Sequence, residues 1–141
     1  MKSCYFTCET IDTRSLAMLQ KLEKCIKIHK VIFIPERSAL LILDMQQYFL
    51  DERSHAFIPS ALPIIPRIKN LANAFHERNL PVVLTRHINS KEDAGCMAQW
   101  WKDLITEDND LSEIISELHT PDSTVIKKTQ YDGFNQTSLE N

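Results

Sequence analysis

Ala39-Leu40-Leu41-Ile42-Leu43-Asp44-Met45-Gln46-Gln47-Tyr48-Phe49-Leu50 is the stretch that decides how this 141-residue chain folds. Five apolar residues run unbroken from Ala39 to Leu43 and stop at a carboxylate. So short and continuous a run is the pattern of a parallel strand buried on both faces, because the apolar–polar alternation disappears when neither face meets water. Parallel neighbours are joined by crossovers, so helices are expected between further strands of the same kind.

The chain downstream meets that expectation. Residues 61 to 78 place Ile64, Ile65, Ile68, Leu71, Ala72 and Phe75 on one helical stripe, with Lys69, Asn73 and Glu77 opposite. An Asn79-Leu80-Pro81 turn then feeds a second buried strand, Val82 to Thr85. Residues 110 to 118 predict another helix, with Leu111, Ile114, Ile115 and Leu118 facing inward, Asp110 capping its amino end and Pro121-Asp122 breaking it. Thr124 to Lys128 supply a third strand. The order strand, helix, strand, helix, strand describes an α/β fold, a mainly parallel sheet with right-handed crossovers.

Upstream, Leu16, Leu19, Leu22, Cys25 and Ile26 recur at spacings of three and four. They predict an amphipathic helix from Asp12 to about His29, with Asp12 or Thr13 capping its first turn. Val31 to Pro35 is either a short strand or an extended connector, since Pro35 would interrupt a central ladder. The expected organisation is a helical extension over residues 1–36 followed by one α/β domain over 37–141.

With 43% hydrophobic residues and two glycines, the chain has material for a real core and is not a low-complexity chain. A net charge of −3 without a clustered Lys/Arg run argues against a nucleic-acid binder and toward a small-molecule or protein partner. Cys4, Cys8, Cys25 and Cys96 show no CxxC pairing, which fits reduced thiols in a cytoplasmic protein better than a zinc ribbon or disulfide framework. No apolar run approaches the ~18 residues of a membrane span, and the first ten residues lack the apolar core of a signal peptide. His29, His55, His76 and His119 form no HxH, HxxxH or HExxH pattern, so neither a metal nor another cofactor is expected.

Ligands of open α/β sheets bind beyond the carboxyl ends of the strands, where loops converge on a crevice. Asp44, the Thr85-Arg86-His87 segment and Lys128 all stand at such ends. A carboxyl and an ammonium brought together there suit proton transfer. Blander roles are open to each: a turn former or cap for Asp44, a snorkelling surface cation for Lys128, a solvated loop for Arg86 and His87. Trp100 and Trp101 serve either as a pocket wall or as a core or subunit contact.

Three of these stretches together resemble a known family. Ala39 to Leu50 looks like the opening motif of the isochorismatase-like cysteine hydrolases, and Val125-Ile-Lys-Lys-Thr-Gln-Tyr-Asp-Gly-Phe134, followed by Thr137-Ser-Leu-Glu140, resembles the family's lysine-bearing segment. Met97-Ala-Gln-Trp-Trp-Lys-Asp-Leu-Ile105 is similar to the tryptophan-containing loop of the isochorismatase branch. The resemblance implies a three-layer αβα, Rossmann-like fold. It implies Asp44 and Lys128 as the catalytic pair, Lys128 rather than Lys127 because it stands three residues before Tyr131. Arg86, His87, Trp100, Tyr131 and Phe134 are then the candidates for substrate binding.

The reaction implied is hydrolysis of a small anionic metabolite, a vinyl ether or an amide, and most members add a nucleophilic cysteine from a later strand end. None of the four cysteines occupies that place in the chain order. A whole domain of this kind would need roughly 50 to 80 further residues, so the chain is expected to be a truncated version. Two outcomes are open, an enzyme working through Asp44 and Lys128 or a catalytically silent paralogue acting as a binding or assembly partner. A half-built parallel sheet leaves an open edge and an uncovered apolar face, which predicts a homo-oligomer or a complementing chain.

Overall fold

The computed structural model describes residues 2–23, 25 and 32–140. Its elements are α1 (Ile11–Glu23), β1 (Leu40–Ile42), α2 (Gln47–Leu50), α3 (Ile65–His76), β2 (Val82–His87), α4 (Met97–Trp100) and β3 (Thr124–Lys128). The three strands form one parallel sheet in the order β1-β2-β3. Leu40 lies opposite Val82 and Ile42 opposite Leu84, while Thr85 lies opposite Ile126 and His87 opposite Lys128.

This register sorts side chains by face, since successive residues of a strand point to opposite sides. Leu40, Ile42, Val82 and Leu84 share one face and pack with Ile65, Ile68, Ala72 and Phe75 of α3 and with Met45, Leu50, Ile114, Ile115 and Leu118 into the main core. Thr85, His87, Ile126 and Lys128 share the other face and are buried at its carboxyl end. Nearer β1 that second face is open: Leu41 is partly exposed and Leu43 is 57% exposed.

The helix expected over 61 to 78 is divided. Pro59–Ile64 is a 3₁₀ turn, and the α-helix begins only where Pro66 falls in its first turn. Proline lacks the amide hydrogen that an interior position must donate, so the α-helix starts after Pro63 and with Pro66 at its entrance. Asn79, at φ 53°, ends the helix in the left-handed region that asparagine tolerates. Leu71, expected on the inward stripe, is about half exposed and lines a groove of about 320 Å³ with Phe33, Pro35, Phe75 and Leu80.

The helix expected over 110 to 118 does not form. Asp110–Ser112 makes one 3₁₀ turn whose cap is Asn109, accepting from the Leu111 amide, rather than Asp110. Ile114 bridges Gln46 in antiparallel fashion, the Ile115 amide donates to the Met45 carbonyl, and the Gln47 amide donates to the Glu113 carbonyl. Backbone groups engaged across the molecule cannot also close helical turns, and two adjacent β-branched isoleucines offer little resistance to the extended form. The apolar residues still turn inward: Ile114, Ile115 and Leu118 are buried.

At the amino end α1 begins at Ile11, which puts Asp12 and Thr13 inside its first turn instead of at a cap. Asp12 pairs with Arg67 at 2.6 Å. Only Ile11 of this helix is buried, and Leu16, Leu19 and Leu22 are exposed. The expected continuation to His29 and the start of the segment at Val31 lie outside the described residues. Residues 32–34 form a connector without strand pairing, and Pro35–Arg37 a 3₁₀ turn. The segment before α1 is tied to the loop after α2, since Lys2 donates to the carbonyls of His55 and Phe57 and Ser60 Oγ accepts from the amides of Tyr5 and Phe6. No described helix is long and apolar enough to cross a membrane.

Candidate active site

Asp44 follows β1 in an unusual backbone state. Its φ is 53°, a left-handed conformation that costs an L-residue other than glycine roughly 1–2 kcal/mol. Thr85 of β2 holds it there: Thr85 Oγ1 accepts from the Asp44 amide at 3.1 Å and donates to Asp44 Oδ1 at 2.7 Å. The other carboxylate oxygen, Oδ2, receives the Lys128 ammonium at 2.9 Å. The lysine side chain is only 3% exposed, against 30% for Asp44, so the aspartate is the member of the pair that meets solvent. Lys128 Nζ also donates to the Gln130 carbonyl at 3.2 Å. Three strand ends thereby converge on one carboxylate.

His87 completes the inner wall. It is buried beside Lys128, and burial first, then the neighbouring ammonium, pushes its imidazole below the usual histidine range, opposed by its bond to Asn89 and by Asp44 and Asp93. Trp101 stacks on it, with ring centroids 6.4 Å and planes 16° apart, and donates from Nε1 to the Tyr131 hydroxyl at 2.8 Å. The same indole packs near Tyr48 and Phe49, joining the segments that follow all three strands. Gln46, fully buried, fixes the turn beneath: its Nε2 donates to the carbonyls of His87 and Ser112, and its Oε1 accepts from the His87 amide.

The residues expected from sequence divide into those that meet and those that do not. Asp44, Lys128 and His87 are brought together, and Tyr131 joins them through Trp101. Arg86 is on the opposite face of the sheet, where its guanidinium donates to Ser112 O, Ser112 Oγ, Glu107 and Glu113. Its donors are occupied in fastening the 107–113 segment, because β-pleating sends it away from Thr85 and His87. Trp100 is 71% exposed and Phe134 half exposed. The neighbouring indole, Trp101, takes the place expected of Trp100.

Thr85 and Trp101 were named from the sequence only as part of a strand-end segment and of a tryptophan pair, and Gln46 and Asn89 were not singled out at all. Alternation along Thr85-Arg86-His87 carried the signal for the first, since residues two apart share a face. Nothing in the pattern distinguishes Trp101 from Trp100, because a four-residue helix ends between them. Tyr48 also lines a cleft of about 480 Å³ with Ser54, His55, Lys102 and Asp103, to which Asp44 and Lys128 do not contribute. Burial and then Asp103 raise the Tyr48 phenol above its ordinary value. Among the described residues, no three His, Cys, Asp or Glu side chains are grouped to hold a metal ion.

The isochorismatase domain model matches residues 38–141, from just before β1 to the end of the chain. This chain belongs to the isochorismatase family. It is 32% identical over 112 residues to enterobactin synthase component B of Escherichia coli (strain K12), covering 77% of this chain and 39% of that protein. It is also 32% identical over 119 residues to the isochorismatase of Bacillus subtilis (strain 168), covering 79% and 37%. The chain thus spans about two fifths of the length of these curated relatives.

Solved structures share the fold. A cysteine hydrolase from Pseudomonas syringae pv. phaseolicola superposes with a TM-score of 0.75 at 24% identity, over 82% of this chain and 57% of that one. N-carbamoylsarcosine amidase from Thermoplasma acidophilum gives 0.64 at 25% identity, over 72% and 57%. The α/β class and parallel sheet expected from sequence are those of this isochorismatase fold, and the chain is a member of a hydrolase family.

Proposed function

We propose that the chain is an isochorismatase-like hydrolase acting on a small anionic metabolite, by vinyl ether or amide hydrolysis, with Asp44 moving the proton and Lys128 holding its charge. The observation that carries this reading is the 2.9 Å contact between a nearly inaccessible ammonium and a carboxylate that reaches solvent. Burying an ammonium is costly unless it is paired, so the position of Lys128 needs Asp44 opposite it. A surface lysine placed for solubility would not be 3% exposed.

Both Asp44 oxygens accept hydrogen bonds in the resting arrangement, Oδ1 from Thr85 and Oδ2 from Lys128. That favours a base in the first step, taking a proton from the attacking group and returning it to the leaving group, a contribution of about 10²- to 10⁴-fold. For vinyl ether cleavage the carboxyl would first be loaded with a proton and then deliver it to carbon. Among the described residues, none of the four cysteines hydrogen-bonds to either member of the pair. The four free thiols support a cytoplasmic setting.

A second reading has its own observation. Leu41 of β1 and Leu43 just after it stand exposed before Asp44, and a sheet surface of this kind is ordinarily covered. This favours a homo-oligomer or a complementing chain over the open face, with the chain serving as an assembly partner. Pyruvate release from isochorismate and ammonia release from a panel of small amides, measured with the wild type and with Asp44→Ala, tests the first reading. Turnover abolished by the substitution is the expected result. A folded wild type inactive on every substrate, and larger than a monomer by light scattering, would replace it with the second.

A further inference from the structure

Asn89 is 3% exposed, and every polar group of its side chain is committed. Its Nδ2 donates to Asp93 Oδ1 at 3.0 Å and to the Thr129 carbonyl at 2.9 Å, two groups that only accept. This fixes the orientation of the amide and leaves Oδ1 facing His87 Nε2 at 2.5 Å. Since Oδ1 has no proton to give, the proton must sit on Nε2. The main chain is fixed too, with the Asn89 amide donating to the Ile105 carbonyl.

The other ring nitrogen, Nδ1, makes no hydrogen bond among the described residues, although His87 is buried, and no wholly buried side-chain nitrogen or oxygen is left unpaired. Nδ1 is therefore within reach of solvent. His87 lies beside Lys128 in the sheet register and on the same face as Thr85. We infer that Asn89 is a positioning residue that holds His87 as the neutral Nε2–H tautomer, keeping the Nδ1 lone pair free beside Asp44 and Lys128 to accept a hydrogen bond from water or from a hydroxyl or amide N–H of the substrate.

The charged groups around the ring are Lys128 from β3, Asp44 from the end of β1 and Asp93 from the loop after β2, with the neutral Trp101 over its face. Burial and Lys128 oppose a second proton, so the acceptor persists to lower pH than for an ordinary histidine. Replacing the Asn89 amide by a carboxylate would reverse this balance. The use of Nδ1 in catalysis rests on the function proposed above, whereas the tautomer does not.

The test is two-bond ¹H–¹⁵N correlation on histidine-labelled protein, with the His87 signals assigned by their loss in His87→Gln. The wild type is expected to show a neutral Nε2-protonated ring at pH 7 that titrates below the ordinary ~6.5. Asn89→Asp is expected to raise that midpoint by about one unit or more, and to move the acid limb of the kcat/KM profile upward by the same amount. An Nδ1-protonated ring in the wild type overturns the proposal, and needs no variant to fold. An unmoved midpoint in folded Asn89→Asp overturns control by Asn89. A correct tautomer in a protein that turns over none of the substrates would refute the proposed function and leave the positioning role standing.

Discussion

Lys127 and Lys128 are neighbours in β3, yet they belong to different machines. Lys128 points to the face that holds Asp44 and is all but inaccessible, whereas Lys127 points to the other face and pairs with Glu107 at the surface. The same division separates Arg86 from Thr85 and His87 one strand away. On one face the strand ends build the ion pair of Asp44 and the buried Lys128, the proposed catalytic pair, beside the stacked rings of His87 and Trp101. On the other they build a brace of Arg86, Lys127, Glu107 and Glu113 that fastens the 105–115 segment. A single-residue step in the chain thus separates the proposed site from a structural brace, and charge alone does not reveal which is which.

Four substitutions break or sharpen that contrast. Asp44→Ala strikes the face of the proposed site hardest. It is expected to lower turnover by about 10²- to 10⁴-fold and, by leaving a buried ammonium without its partner, to cost about 3 kcal/mol, read as a shift in urea midpoint. Arg86→Met strikes the brace: stability should fall by about 1–3 kcal/mol with turnover kept within a few fold, and hydrogen exchange should quicken at the Ile114 and Ile115 amides. Equal losses of activity from these two would erase the distinction between the faces.

Smaller effects follow from His87 and Lys127. His87 is depressed in the folded chain, chiefly by burial, while the unfolded chain protonates near the ordinary ~6.5. Below that value the unfolded state binds the extra proton first, so His87 takes away stability as pH falls from about 6.5 through the folded value, and contributes nothing to pH dependence above it. His87→Gln should therefore flatten the fall in denaturation midpoint between neutral pH and pH 5. Lys127→Met, removing an exposed ion pair, should change stability by less than ~0.5 kcal/mol and leave activity intact, in contrast to Lys128→Met.

How much of this was legible beforehand follows from how local each feature is. The three strands and α3 announce themselves because burial on one or both faces dictates a run or a stripe of apolar residues. Thr124 to Lys128 matches its expected bounds, and β2 runs two residues beyond Thr85. The segment at 110–118 has equally good helical spacing, but long-range bonds from Met45, Gln46 and Arg86 take up its backbone, and no local pattern records them. Asp44 and Lys128 were legible as strand-end charges and as family motif positions. Trp101 was not, because which of two adjacent indoles turns inward depends on where the loop after α4 lands. Arg86 looked like a substrate-binding residue only while its two glutamates, 21 and 27 residues later, were unplaced.

The left-handed turn at Asp44 sets geometry and chemistry against each other. Glycine would occupy φ 53° without penalty, so Asp44→Gly should be more stable than Asp44→Ala by about 1 kcal/mol, although both lack the carboxylate. The position thus sets backbone comfort against the carboxylate: the residue best for the turn is the one that removes the partner of Lys128. Relief of the turn by about 1 kcal/mol is smaller than the roughly 3 kcal/mol lost when the buried Lys128 ammonium has no partner, so the aspartate strains its own turn while the ion pair it makes holds the fold.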